Sequence, residues 1–339
     1  MPILSNILLE GKDNKMEITV TDLEVSFRDV CNATIIQEGG ITINARKLYE
    51  IIKELPEDKV ELSLGDSGRV SIKSGKSRFN INSLSVSEFP SFPIYDERKF
   101  TIVDPEALKE MINNTSFAIS MDETRRNING LYFENEDGKL RMVATDGYRL
   151  AMAEKEAAAD INLKKGIILP RKGVLELKKL LEQEGSLFAG FTESSAVFKK
   201  GGSVLVIRLI DGEFPQYKQV IPKGNDKMVT VKRERIEGAL RRMALLSSDK
   251  VKSVKFSITK DKIELSSSNP DLGDATEELE IVYSGDTLEI AFNATYILDI
   301  LGILTGEEVV VEIKDGISPC VIKEEGMNNY TYVVMPIRI

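Results

Sequence analysis

Histidine and tryptophan are absent from all 339 residues. Without histidine the chain lacks the commonest general base and the commonest metal ligand. Cysteine is scarce: Cys31 and Cys320 are the two thiols. That is too few for a disulfide framework and suits a reducing cytosol, so a cytoplasmic location is expected and both thiols are expected to be buried as small hydrophobes. No run approaches the ~20 apolar residues that a membrane helix needs, and no signal-peptide pattern opens the chain. Nucleophile elbow, glycine-rich phosphate loop and metal-ligand spacing are missing as well. The carboxylates of Thr145-Asp146-Gly147 and of the acidic turns read as local hydrogen-bonding devices. The chain is therefore expected to be no enzyme and to need neither metal nor cofactor.

What the sequence does contain is itself, several times over. Ser87-Glu88-Phe89-Pro90 returns as Gly212-Glu213-Phe214-Pro215, with the prolines 125 positions apart. Ala45-Arg46-Lys47 returns in Pro170-Arg171-Lys172 at the same interval, and Thr21-Asp22 returns as Thr145-Asp146 at 124. Stacked solenoid units repeat every 20–50 residues; this interval implies three copies of a whole domain, expected at 1–97, 98–224 and 225–339.

Each copy reads as α+β, two strand-rich halves with one helix each. Strands are expected at Ile3–Glu10, Lys15–Val20 and Glu24–Val30, again at Asn129–Glu134, Lys139–Thr145 and Arg149–Glu154, and again at Ser253–Thr259, Lys262–Ser267 and Glu277–Val282. Asp-containing turns between alternating apolar residues are hairpin signals. Helices are expected at Ala45–Leu55, Arg171–Glu182 and Ala294–Leu304, with Asn44 and Asn293 as caps. Leu48, Ile51, Ile52 and Leu55 would form one buried face, and Val174, Leu177, Leu180 and Leu181 another. Two further helices open the later copies, Pro105–Ser116 behind Asp104 and Arg233–Leu246. One period before Asp104 falls ahead of Met1. The first copy is thus expected to lack its opening strand and helix, the gene product to extend upstream, and the chain as it stands to have a loosened first domain. Connectors are expected near 93–98 and 222–227.

The net charge is −9, from 54 acidic and 45 basic residues. The cations nevertheless gather on helices: Arg46, Lys47 and Lys53; Lys109, with Arg125 and Arg126 just beyond; Arg171, Lys172, Lys178 and Lys179; Arg233, Arg235, Arg241 and Arg242. Acidic residues gather in turns and strands. An acidic surface with basic helices on one side would focus a polyanion there and repel it elsewhere.

Met1-Pro2-Ile3-Leu4-Ser5-Asn6, Thr145-Asp146-Gly147-Tyr148-Arg149-Leu150, Asp211-Gly212-Glu213-Phe214-Pro215, Phe292-Asn293-Ala294-Thr295-Tyr296 and the terminal Val333-Val334-Met335-Pro336-Ile337-Arg338 closely resemble the bacterial DNA polymerase III β subunit family, the β sliding clamps. The resemblance runs through the whole chain in order. It implies three tandem clamp domains per chain and a head-to-tail homodimeric ring around duplex DNA, with helices lining the hole and antiparallel sheets outside. It also implies a strand and helix ahead of Pro2-Ile3-Leu4. Sequence-independent DNA contacts would come from Arg46, Arg125, Arg126, Arg171, Lys172, Arg241 and Arg242. A pocket for short linear peptides of the polymerase, the clamp loader and other partners would comprise Thr145, Gly147, Tyr148, Arg149, Leu150, Pro215, Val220, Val251, Asn293, Tyr296, Val333, Val334, Met335, Pro336 and Arg338, with Arg149 and Arg338 as polar anchors. The dimer would pair Lys76, Arg78, Phe79 and Ile81 of one chain with Leu245, Leu246, Asp271, Asp274 and Glu277 of the other. The rival to this reading is a repeat scaffold that never meets DNA.

Overall fold

A computed structural model describes every residue except 57, 58, 66, 67, 158–160, 162, 164, 248–251 and 339. The chain divides into two compact units. The first holds residues 1–106, 158–160 and 172–209, and the second 107–157, 161–171 and 210–339.

The first unit is built on an eight-stranded antiparallel sheet. Its order is Gly39–Asn44, Asn6–Lys12, Lys15–Thr21, Val25–Asn32, Ser203–Arg208, Ser195–Lys200, Leu187–Phe191 and Thr101–Val103. The seam falls between Val25–Asn32 and Ser203–Arg208, where Leu205 faces Phe27 and Val206 faces Ser26. A separate three-stranded sheet runs Glu61–Leu64, Arg69–Ser74, Ser77–Asn82. Helix α1 (Ala45–Glu54) starts where Asn44 accepts a hydrogen bond from the Lys47 amide at 3.0 Å. It rests on Leu9, Ile43, Val70 and Ile72 through Leu48.

The second unit repeats that plan. Its eight-stranded sheet runs Ile167–Pro170, Gly130–Glu136, Lys139–Thr145, Arg149–Glu156, Tyr330–Val334, Cys320–Glu324, Glu308–Ile313 and Lys227–Lys232. Here the seam joins Arg149–Glu156 to Tyr330–Val334, with Leu150 opposite Val333. A four-stranded sheet runs Gly273–Glu280, Lys262–Asn269, Ser253–Thr259, Leu288–Asn293. The remaining helices are α2 (Pro105–Asn113), α3 (Arg171–Leu181), α4 (Arg233–Ala244) and α5 (Ala294–Leu301); α3 belongs to the first unit from Lys172 onward, while α4 and α5 lie wholly in the second. Asp104 and Asn293 cap α2 and α5 through the amides of Glu106 and Thr295.

Tight turns make the hairpins. Asp13 and Asn14, and again Asp137 and Gly138, take positive φ at both central positions, the geometry whose twist matches two right-twisted strands. Each helix ends one to three residues before its expected boundary. At the chain start, Pro2–Ser5 is a 3-10 turn, with Pro2 at its first position where no N–H is needed, and the strand begins only at Asn6. The strand expected at Glu277–Val282 runs Gly273–Glu280.

Two burial expectations fail. Cys320 is buried but Cys31 is exposed, because it lies toward the end of Val25–Asn32, past the Arg28–Val204 pair where the partner across the seam stops. Ile52 is exposed as well. It sits at the edge of the stripe that Leu48, Ile51 and Leu55 share, about 40° round the helix from Leu48 on the side away from Ile51. All four expected face residues of α3 are buried.

Candidate functional site

Only three residues connect the strands that end at Thr145 and begin at Arg149, and side-chain oxygens at Thr145 and Asp146 hold the turn together. Thr145 Oγ1 donates to the Arg149 carbonyl at 2.6 Å and accepts from the Gly147 amide at 3.1 Å. The Asp146 carboxylate accepts from the amides of Tyr148 (2.9 Å) and Arg149 (3.0 Å). Gly147 has φ +93°, and a Cβ there would stand 2.9 Å from the Arg125 guanidinium. The turn therefore requires glycine for both backbone and space. Tyr148 is left pointing outward, 60% exposed.

Arg149, expected as a polar anchor, has three partners within the chain. Its Nε donates to Asp146 at 3.0 Å, and its two terminal nitrogens donate to Asp299 on α5 at 2.6 Å and to the Phe117 carbonyl at 2.9 Å. The guanidinium lies over the Tyr296 ring, 4.7 Å from its centroid, and the side chain is 10% exposed. A guanidinium so enclosed, with three of its five N–H donors engaged, is a strut between turn and helix. Tyr296 in turn stacks against Tyr148, with ring centroids 6.3 Å apart. Burial, reinforced by the Asp146 charge, raises the Tyr296 phenol above its ordinary range.

The chain end closes the site. The Met335 amide donates to the Tyr148 carbonyl at 2.8 Å and the Ile337 amide to the Ala291 carbonyl at 2.7 Å. Beneath lies a core of Val143, Leu150, Tyr217, Val321 and Val333.

The expected pocket residues thus separate into layers. Leu150 (3%), Val333 and Val334 are closed off in the core. Tyr148, Pro215, Val220, Met335 and Arg338 are exposed, and Thr145, Tyr296 and Pro336 are half-buried. The Asn293 side chain is engaged as the α5 cap. Val251 lies outside the described residues. Asp299, Phe117 and Tyr217 were missed by sequence reasoning; only Tyr217 carried a signal, its place just after the repeated Phe-Pro bend.

The expected DNA contacts are mostly partnered within the chain. Arg46 pairs with Glu50 at 2.9 Å, Arg241 with Glu237 at 2.7 Å, and Arg242 with Glu277 at 2.5 Å. Lys172 pairs with Asp22. Burial pushes the Asp22 carboxyl up, but Lys172 and the amides of Val25 and Glu24 outweigh it and hold it below its ordinary value. Arg125 donates to the Asp146 carbonyl at 3.0 Å, which places it against the Thr145–Leu150 turn. Arg126 is exposed and Arg171 half-buried.

Of the expected dimer residues, Arg78 and Phe79 are exposed and Ile81 half-buried on Ser77–Asn82, with the exposed Lys76 just before it; Asp274 and Glu277 lie on Gly273–Glu280, and the exposed Asp271 just before it. Each strand is the outermost of its sheet. Leu245, past the end of α4, is 76% exposed, and Leu246 is half-buried.

Comparison with known proteins covers the whole of this architecture. Residues 1–93, 102–216 and 218–338 match the N-terminal, central and C-terminal domains of the DNA polymerase III beta subunit in turn. The beta sliding clamp of Caulobacter vibrioides is 38% identical over 347 residues, an alignment covering 100% of this chain and 93% of that protein. Among solved structures, the DNA polymerase III subunit beta of Pseudomonas aeruginosa superposes with a TM-score of 0.94 at 34% identity, over 100% of this chain and 93% of that one. A sliding clamp from Bartonella birtlesii bound to griselimycin superposes at 0.96 with 36% identity, over 100% and 92%. The chain belongs to the bacterial DNA polymerase III β subunit family, and it is a sliding clamp, a non-catalytic processivity factor of DNA replication built from three tandem clamp domains.

Proposed function

We propose that two copies of this chain close head to tail into a ring around duplex DNA and capture partner proteins on the Tyr148–Met335 groove. The observation that carries the ring is a pair of unfinished sheets. Each eight-stranded sheet joins two half-sheets across one seam, between Val25–Asn32 and Ser203–Arg208 in the first unit and between Arg149–Glu156 and Tyr330–Val334 in the second. Two half-sheets remain over. In the repeat, the outer strand Gly273–Glu280 of the four-stranded sheet corresponds to Val25–Asn32 and Arg149–Glu156. The outer strand Ser77–Asn82 of the three-stranded sheet corresponds to Ser203–Arg208 and Tyr330–Val334. An unpaired edge is a template for another strand. Pairing Ser77–Asn82 of one copy with Gly273–Glu280 of the next makes a third seam of the same kind. Lys76 and Arg78 then meet Asp271 and Asp274, with Phe79 and Leu245 supplying apolar area. Such a contact is heterologous and closes as a ring.

The three-domain division at 1–97, 98–224 and 225–339 goes with this reading, as does a cytoplasmic location. DNA passing through such a ring is held by charge alone, without base readout. Arg46, Arg126, Arg171, Lys172, Arg241 and Arg242 are the proposed phosphate contacts. Carboxylate partners on several of them reduce the net attraction, which suits a protein that must slide.

The groove takes a short apolar peptide of the Gln-x-x-Leu-Phe kind, from the polymerase catalytic subunit, the clamp loader or other clamp-binding proteins. Tyr148, Val220 and Met335 are exposed apolar groups around a buried core, the arrangement of an anchor site. The Leu150, Val333 and Val334 side chains support it from below. Titration calorimetry with such a peptide tests the groove. Met335→Asp should abolish binding with folding intact, and unchanged affinity would refute the assignment.

A further inference from the structure

Resting on the groove reading, we propose that Tyr217 and Glu134 form a latch that fixes the Phe214–Ile221 bend, making both positioning residues for peptide capture. The bend carries Pro215 and Val220 outward, while the Tyr217 ring turns inward and is 5% exposed. Its own backbone bonds are local: the Tyr217 amide to Pro215 O, the Gln219 amide to Gln216 O and the Val220 amide to Tyr217 O. Side chains hold it to the sheet. The Tyr217 hydroxyl donates to Glu134 at 2.5 Å, and the Tyr132 hydroxyl donates to the other oxygen of the same carboxylate at 3.1 Å. Phe214 stacks on Tyr132 with centroids 4.8 Å apart and planes 11° from parallel. Lys218 pairs with Glu136 on the same strand. Gly166 leaves the room this needs, since a Cβ there would fall 2.0 Å from the Tyr132 hydroxyl.

The other copy of this junction supplies the contrast. In the repeat, Phe92 stands where Tyr217 does and Glu10 where Glu134 does. Phe92 has no hydroxyl to give, Glu10 is exposed, and the Phe92 ring is instead covered by the Arg28 guanidinium at 4.1 Å. The phenol–carboxylate bond is therefore present at the junction that carries the groove and missing from its counterpart. The Tyr217 ring also shares its core with Leu150 and Val333, the residues beneath the groove. A bend held in this way presents Pro215 and Val220 without an ordering cost at each binding event.

The test uses the full chain and a fluorescent Gln-x-x-Leu-Phe-like peptide, with Met335→Asp as the groove control. Tyr217→Phe keeps the ring and removes the bond. It should weaken binding about tenfold, as the competent fraction of bends falls, mainly through a slower association rate. Hydrogen exchange at Gln216–Val220 should quicken while the thermal midpoint stays within a few degrees. Glu134→Gln, which keeps an acceptor oxygen, should bind within about threefold of the unsubstituted protein, and Glu134→Ala should match Tyr217→Phe. If Tyr217→Phe fails to fold, the Glu134 pair decides, and equal binding by Gln and Ala variants overturns the latch. Unchanged affinity in Tyr217→Phe, with Met335→Asp still inactive, overturns the latch and leaves the groove standing. No binding by the unsubstituted protein overturns both.

Discussion

Arg149 and Asp299 are 150 positions apart in the chain and meet at 2.6 Å. One stands at the start of the seam strand Arg149–Glu156 and the other on α5. The pair ties the turn that displays Tyr148 to the helix that displays Tyr296, so the two rings stack as a consequence. Replacing Asp299 by Asn should weaken the strut without leaving a cavity. With the Asp299 side chain 39% exposed, the expected loss is about 1–2 kcal/mol in urea unfolding. Peptide affinity should fall with it, since Tyr296 loses its fixed orientation. Full affinity with full stability would show that the strut is dispensable.

The ring makes a separate demand on assembly. Leu245 and Phe79 are exposed in the single chain, so Leu245→Asp or Phe79→Asp should change monomer stability by less than ~0.5 kcal/mol. Either should nevertheless shift a dimer to monomer in multi-angle light scattering. A dimer that survives both substitutions would place the interface elsewhere.

Alkaline titration reads the buried phenols directly, because the chain has nine tyrosines and no tryptophan. Burial, then the Glu134 charge, pushes Tyr132 up to about 12 from an ordinary 10.0. Burial, with hydrogen bonds to Glu134 and Glu110, raises Tyr217 and Tyr330 as well. In the unfolded chain these protons leave near the ordinary 10.0, so the folded state binds them more tightly. The contribution of Tyr132 to stability is complete below that value and is lost as pH rises through about 12. Near-ultraviolet phenolate absorbance of the native protein should show an early class and a late class, merging into one on unfolding. A single early class in the folded protein would contradict the buried hydroxyl network.

Much of this architecture was legible in the sequence. Asn44, Asp104 and Asn293 marked three helix starts, and Lys139–Thr145 and Ser253–Thr259 have the expected bounds because alternating apolar residues between turns define them. The repeat implied that there are three copies. What could not be read was partnership over long range. Nothing local in Arg149–Glu156 says that it pairs with Tyr330–Val334, or that Arg149 donates to Asp299 and Phe117. The resemblance placed Val333, Val334 and Met335 together in the pocket. Both valines are buried, so the strand is covered on both faces, with Val333 packed among Val143, Leu150 and Tyr217. The resemblance put Arg125 among the phosphate contacts, and nothing local shows that it also lies against Gly147, whose missing side chain makes room for it. Cation counts on helices likewise hid the carboxylates that pair with Arg46, Arg241 and Arg242.

Topological retention on DNA tests the central claim most directly. The protein is loaded onto nicked circular duplex by a clamp loader, freed of unbound protein by gel filtration, and the circle is then cut once. A closed ring should remain with the intact circle and leave the linear product from its ends, whatever its sequence. Retention that is equal on circular and linear DNA, and lost only as salt rises, would show ordinary surface binding through phosphate contacts and contradict the ring.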